Sequence, residues 1–277
     1  MSKFAPVSRE LYVGKKWQRP KTYSFSSSNA LVPIVGAELA RAMLGMPLAF
    51  LQEKSRFGLV AVLSLTPGRN MLVASDGRWL GRYIPAWMRA YPFALLPKPR
   101  TGEAILCVDT DSGLVDGGSS VGEDFFDRDG NLSTTLQQMV DFLGQLEQSR
   151  KVTEAAVSAL AEAGVIQPWP IRLKAEQAER TISGLHRIDE AALKALPDEA
   201  FLKLRKGLAL PIAYAQMLSV GQLGLFQELA RLQARLAPAP AAAIPESLDS
   251  LFGISTGDTI NFDEFIGSDR PSTNIDK

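Results

Sequence analysis

Two hydrophobic periods divide this chain, and the switch between them limits what it can fold into. Between Asn29 and Asp109 the apolar residues come in short runs bounded by turn residues. These are Leu31–Val35, Pro47–Gln52, Leu59–Leu65, Asn70–Ala74 and Ala104–Val108. Runs of this length and composition predict strands. From Ser133 the spacing changes. Leu136, Met139, Val140, Leu143 and Leu146 recur at three- and four-residue steps, which predicts a helix. A second helix is predicted over Thr153–Ala163, closed by Gly164, and a last long one from Pro211 to Leu236. Two strands are expected over Pro168–Leu173 and Glu179–Ile188, and short helices open at Asp189 and Pro197. Strands dominating one half and helices the other predict an α+β fold. The short links between early strands predict antiparallel neighbours.

The boundaries follow from local chemistry. Pro33 marks Leu31–Val35 as an edge or strand-end segment, because proline cannot donate to a ladder. Ala37–Leu44 has the length of a short helix. Ser55–Gly58 and Ser75-Asp-Gly77 read as turns. Residues 1–28 read as irregular and basic, and residues 109–131 as an acidic loop. The strand-rich half is small and basic, so residues 1–236 are expected to form one unit. Ala237–Pro245 is a Pro/Ala linker by composition. The remaining tail, with seven Asp+Glu against two Lys+Arg from 238 on, has too little apolar mass to fold alone and is expected to be disordered. Within it Phe252, Phe262 and Phe265 are candidate docking residues.

Charge is balanced in total and unbalanced in place. Residues 1–100 carry 15 Lys+Arg against 4 Asp+Glu, and residues 101–277 carry 15 against 26. The zero sum predicts that the basic part lies against acidic segments of the same chain. It also argues against nucleic acid as the partner. The start of the chain lacks the apolar core of about 7–15 residues that an export signal needs. No run approaches the roughly 18 consecutive apolar residues of a membrane span. A cytoplasmic, soluble protein is the expectation.

Little here supports catalysis. The one histidine, His186, closes a predicted strand, with Asp189 as its nearest acid in sequence. The one cysteine, Cys107, alternates inside an apolar strand with no cation beside it, so it is expected to be buried and inert. Asp127-Arg-Asp-Gly-Asn131 imitates a calcium loop, but its glycine comes too early and the closing glutamate is missing. No phosphate-binding glycine motif is present. No metal and no cofactor is expected.

The candidate binding segment is Gly77–Leu95, GRWLGRYIPAWMRAYPFAL, which holds two of the four tryptophans. Aromatic bodies with polar tips, interleaved with arginine forks, make surfaces suited to holding a partner. Arg82, Tyr83, Trp87, Arg89 and Tyr91 are the residues expected to form it, for a protein or peptide partner.

Several of these stretches recur in one order: Leu31-Val-Pro-Ile-Val35; Gly77-Arg-Trp79 with Arg82-Tyr-Ile-Pro85; Tyr91-Pro-Phe93; Leu106-Cys-Val-Asp109. They continue with Leu136-Gln-Gln138 and Phe142-Leu143, then Leu193-Lys-Ala-Leu-Pro-Asp198, then Tyr214-Ala-Gln216 with Leu218-Ser219. In that order they resemble bacterial SapC family proteins over about residues 1–232. The resemblance carries no catalytic residues across. It brings a surface-layer association in the family's name, and the expected function is that of a non-enzymatic accessory or binding protein. A surface-layer component exported without a cleaved signal, and so at the cell surface, is one alternative. An enzyme using carboxylate and tyrosine acid–base groups is the other.

Overall fold

The computed structural model describes residues 3–98, 102–116, 121–174, 179–236 and 260–261. In chain order its elements begin with β1 (Phe4–Pro6), α1 (Arg9–Tyr12), β2 (Lys16–Trp17), β3 (Leu31–Pro33), α2 (Leu39–Ala42), β4 (Leu48–Glu53) and β5 (Arg56–Val62). Next come α3 (Ala86–Ala90), β6 (Phe93–Pro97), β7 (Ala104–Asp109), β8 (Val115–Asp116), β9 (Glu123–Asp124) and α4 (Thr134–Glu162). The rest are β10 (Ile166–Pro168), β11 (Ile171–Lys174), β12 (Glu179–Ser183), β13 (Leu185–Ile188), α5 (Glu190–Lys194), α6 (Asp198–Arg205), α7 (Ala209–Ser219), α8 (Leu225–Leu236) and β14 (Ile260–Asn261). The fold is α+β, with antiparallel sheets from the first half and helices from the second.

The main sheet is antiparallel, in the order β10-β13-β4-β5-β3. Its centre is the β4–β5 hairpin, closed by Lys54-Ser55 with Lys54 at φ 54°. That two-residue turn is tighter than the expected Ser55–Gly58. The strand begins at Arg56, because Arg56 pairs with Glu53 across the turn. Strand β3 is the sheet's edge, as Pro33 requires. Helix α7 covers the sheet, and buried Gln216 ties it down. The Gln216 amide accepts from Ile188 N at 2.9 Å and donates to Leu48 O at 3.2 Å. Ser219 Oγ accepts from Leu48 N at 2.8 Å.

A second sheet, β1-β7-β6, and a small third one, β8-β2-β9, stand over the first half of α4. The described part of 1–28 is therefore only partly irregular: β1 pairs with β7 and β2 lies between β8 and β9. Nor is 109–131 all loop. Two-residue strands carry no periodic signal, and only their distant partners make them. Basic β2 meets acidic β9 directly, with Lys16 Nζ 3.0 Å from Asp124.

Apolar side chains form two clusters. The larger one holds Phe50, Val62, Leu160, Ile182, Leu185 and Ile212 between the main sheet and the C-terminal helices. The smaller holds Tyr12, Trp17, Phe93, Phe125, Leu136 and Leu143. Helix α4 serves both, giving Leu136 to Leu146 to the smaller and Ala156 to Leu160 to the larger. It is one helix of 29 residues and not the two expected. The apolar period lapses at Glu147–Val152 for a reason. There α4 faces polar backbone, where Ser149 Oγ and Thr153 Oγ1 accept from Ala37 N (3.2 Å) and Gly36 N (2.7 Å). Gly36 also leaves room for Leu208, whose Cδ1 a Cβ at this position would meet.

Other expectations are corrected. Asn70–Ala74 is not a strand. Buried Asn70 accepts from Leu72 N (2.9 Å) and donates to Ser26 O (3.1 Å), turning the chain and leaving a single bridge between Val73 and Trp79. Ala37–Leu44 is a 3-10 turn over Gly36–Glu38 followed by α2. The last helix breaks into α7 and α8 through a 3-10 turn over Val220–Gly224, which holds two glycines. By length and composition alone the stretch Ala209–Gln233 is apolar enough to cross a membrane, yet its α7 part is built into the core through Ile212, Ala213 and Gln216. Of the tail only Ile260–Asn261 is described. The expected disorder and the docking positions Phe252, Phe262 and Phe265 lie outside the described residues.

Candidate binding cleft

Where the two clusters meet, Ile34 points into the larger and Val35 into the smaller. The turn that follows brings Glu38 into the seam, 4% exposed. A carboxylate so deep must be satisfied by donors. It has three: Oε2 accepts from Val35 N at 3.1 Å, and Oε1 accepts from Ala86 N at 2.7 Å and from Tyr83 Oη at 2.8 Å. Glu38 thereby clamps the 3-10 turn to the start of α3. Burial, then the Glu38 charge beside it, pushes the Tyr83 phenol up to about 12.

Tyr83 passes the clamp outward. Its Oη accepts from Arg89 Nη2 at 3.3 Å, while Arg89 Nε donates to Ile84 O at 3.2 Å. The exposed guanidinium stands 5.8 Å from the Tyr83 ring centre and 5.1 Å from that of Phe142 on α4. Such an arginine is oriented by two ring faces and two hydrogen bonds, so it loses little freedom when it meets an anion.

Arg89 borders an open cleft of about 330 Å³. Arg19, Pro20 and Tyr23 line it from the N-terminal segment, Met88 and Arg89 from α3, and Gln138, Met139 and Phe142 from α4. Two cations thus stand over a floor of methionine and aromatic carbon. Tyr23 is itself held by rings, 5.6 Å from Trp79 and 6.0 Å from Phe25. Phe25 stacks on Tyr91 at 3.9 Å and 8°. Tyr91 Oη donates to Asp109 Oδ2 at 2.9 Å, and Asp109 Oδ1 accepts from Lys3 N and Asp111 N. Burial and that hydrogen bond raise the Tyr91 phenol as well.

Of the five residues expected to form the binding surface, Arg89 lines the cleft. Tyr83 does not reach solvent: its ring is buried and its hydroxyl turns inward, because Glu38 needs a donor there. Trp87 is half-buried and packs against both clusters, its indole N–H without a partner. Arg82 is exposed near Gly45 and does not line the cleft. Tyr91 supports the rings from behind. Among the residues missed were Arg19, Tyr23, Glu38, Met88, Met139 and Phe142. Glu38 left a signal, as one of only four acids in the first hundred residues and set in an apolar run. Arg19 and Tyr23 left none, since only the fold brings them beside α4.

Elsewhere, groups with reactive potential are committed to structure. Cys107 is 2% exposed, and burial pushes its thiol up to about 11. Asp189 caps α5 by accepting from Ala192 N, and His186 sits in β13 with its ring edge-on to Phe57. Asp127 Oδ1 accepts from Asp129 N and Asn131 N, closing its own turn. Among the described residues no three His, Cys, Asp or Glu side chains gather as a metal site would need.

No curated protein and no solved structure matches the chain. A family model, SapC, matches residues 7–225. That span takes in the smaller apolar cluster, the larger one except Phe226 and Leu229, the Glu38 clamp and every residue that lines the cleft, and the chain belongs to the SapC family.

Proposed function

We propose that this chain is a non-enzymatic binding protein that holds an acidic, aromatic-bearing segment of a partner protein in the Arg89 cleft. The observation that carries the reading is the held arginine: a buried carboxylate fixes Tyr83, Tyr83 and two rings fix Arg89, and Arg89 faces an open cleft beside Arg19. A carboxylate would meet the arginines, and an aromatic or aliphatic neighbour would meet Met88, Met139 and Phe142. Methionine adapts to irregular apolar shapes, which suits a peptide side chain. The tyrosine–carboxylate pairs favour binding over acid–base chemistry. Both carboxylates already accept from backbone N–H groups, and both phenols are harder to ionise than free tyrosine.

The test is fluorescence polarisation with a panel of labelled peptides that pair Asp or Glu with Phe, Trp or Leu, against neutral and basic controls. The acidic–aromatic peptides should bind, and Arg89→Met should weaken them about tenfold or more, the effect of losing one charge-assisted pair of about 1.4 kcal/mol. Added salt should weaken them too. Equal binding of neutral peptides, or an unchanged affinity in Arg89→Met, overturns the reading.

A further inference from the structure

Away from the cleft, the β11–β12 hairpin meets a piece of chain from far along the sequence. Ile260 and Asn261 lie parallel beside Ile182 and Ser183, as a third strand on the edge of β12 that β11 leaves open. We propose that this edge of β12 is the docking site of the chain's own C-terminal tail, which adds to it as a strand.

Three observations support it besides the pairing. The first is the edge itself. Strand β12 is paired with β11 on one side, and among the described residues the strand on its other side is β14. Such an edge accepts an extended segment through main-chain hydrogen bonds. The second is sequence pattern. Ile260, Asn261, Phe262 and Asp263 alternate apolar and polar, the period of a half-buried strand, and Ile260 falls opposite fully buried Ile182. The third is charge. By sequence the hairpin strands carry Arg172, Lys174 and Arg180 against Glu179, while the residues just after the paired strand include Asp263 and Glu264.

The reach is ample. The connection from Leu236 to Ile260 can span up to about 80 Å, several times the roughly 18 Å radius of gyration of a domain this size. The occupant is the chain's own tail, which is bound at the high effective concentration that a tether provides. No residue of β11, β12 or β14 lines the Arg89 cleft, so the paired strand and the cleft are separate sites. The inference does not rest on the binding function proposed for that cleft.

Amide exchange in the full-length chain tests it, read by NMR. Successive N–H groups of a strand point to opposite sides, so one amide of the Ile182–Ser183 pair faces β11 and the other faces β14. Replacing both Ile260 and Asn261 with proline removes the tail's own donors and disfavours its extension along the ladder. The amide facing β14 should then exchange about tenfold faster or more, while the one facing β11 keeps its rate. Unchanged exchange at both overturns the proposal. A second variant, Ser183→Cys with Asn261→Cys, should oxidise to a cross-linked monomer. A cross-linked dimer, or no cross-link, overturns docking within the chain.

Discussion

The two apolar clusters are built in different ways. In the larger, most strand neighbours are close in sequence, and the exception is β13, which pairs with β4 across about 135 residues. Strands β4 and β5 form a two-residue hairpin, and β10 and β13 are joined by a short excursion. In the smaller, β6 and β7 are neighbours in sequence, but β1 pairs with β7 across about a hundred residues and β2 is held between β8 and β9 over a similar span. The larger is filled mainly by aliphatic side chains, the smaller by Tyr12, Trp17, Phe93 and Phe125 in ring contact. Short elements of two or three residues cannot bury much surface by periodicity, so a few large rings do it instead. Local pairing makes a region legible and quick to form. Distant pairing makes it depend on the rest of the chain.

The sharpest way to break this comparison is to remove one large ring from each cluster. Trp17→Ala and Phe50→Ala should each cost about 3–5 kcal/mol, since both residues are fully buried. Because α4 contributes to both clusters, each variant should still melt in one transition, read by calorimetry and by far-ultraviolet circular dichroism together. Two separated transitions in either variant would mean that the clusters are independent units.

The two buried carboxylates sharpen the comparison further. Glu38→Ala strands the N–H groups of Val35 and Ala86 inside the seam and should cost roughly 2–4 kcal/mol. Asp109→Ala should cost less, roughly 1–2 kcal/mol, because its backbone donors belong to exposed Lys3 and Asp111 and can turn to water. Chemical denaturation gives both values, and equal losses would show that the seam holds no special burden.

Alkaline pH reads the same pairs. The Tyr83 phenol ionises near 10 when unfolded and at about 12 when folded. Its contribution is therefore whole below pH 10 and disappears as pH rises from 10 to 12. Tyr91, raised in the same direction, adds to that slope. Tyr83→Phe should flatten the fall of melting temperature between pH 9 and 12, and the double variant with Tyr91→Phe should flatten it more. A fall as steep as that of the unaltered protein would contradict the inward placement of the hydroxyls.

The smallest effect concerns Cys107, which lies buried in β7. Cys107→Ala should cost about 1 kcal/mol and leave the cleft unchanged. Its thiol should react with a neutral maleimide far more slowly than in the unfolded chain, since it is buried and its ionisation is pushed up to about 11. Labelling at the unfolded rate would show that β7 opens readily, and with it the distant pairing to β1.

What could be read from the sequence is what short-range chemistry determines. The switch of period placed the strands before the helices, Pro33 placed an edge, and the alternation around Cys107 placed a buried thiol. Gly164 ended α4 where expected. Tertiary structure alone decided the rest. Lys16–Trp17 and Phe4–Pro6 become strands only because distant segments offer them ladders. The polar middle of α4 stays helical because Ser149 and Thr153 have backbone donors to meet from another turn. Arg89 was visible in the sequence as an arginine among aromatics. That Tyr83 faces inward depends on where Glu38 is buried, and that Arg19, Tyr23 and Phe142 share the Arg89 cleft depends on how the N-terminal segment packs beside α4. A residue's partners across a hundred positions are set by packing of the whole chain, and no local window holds that information.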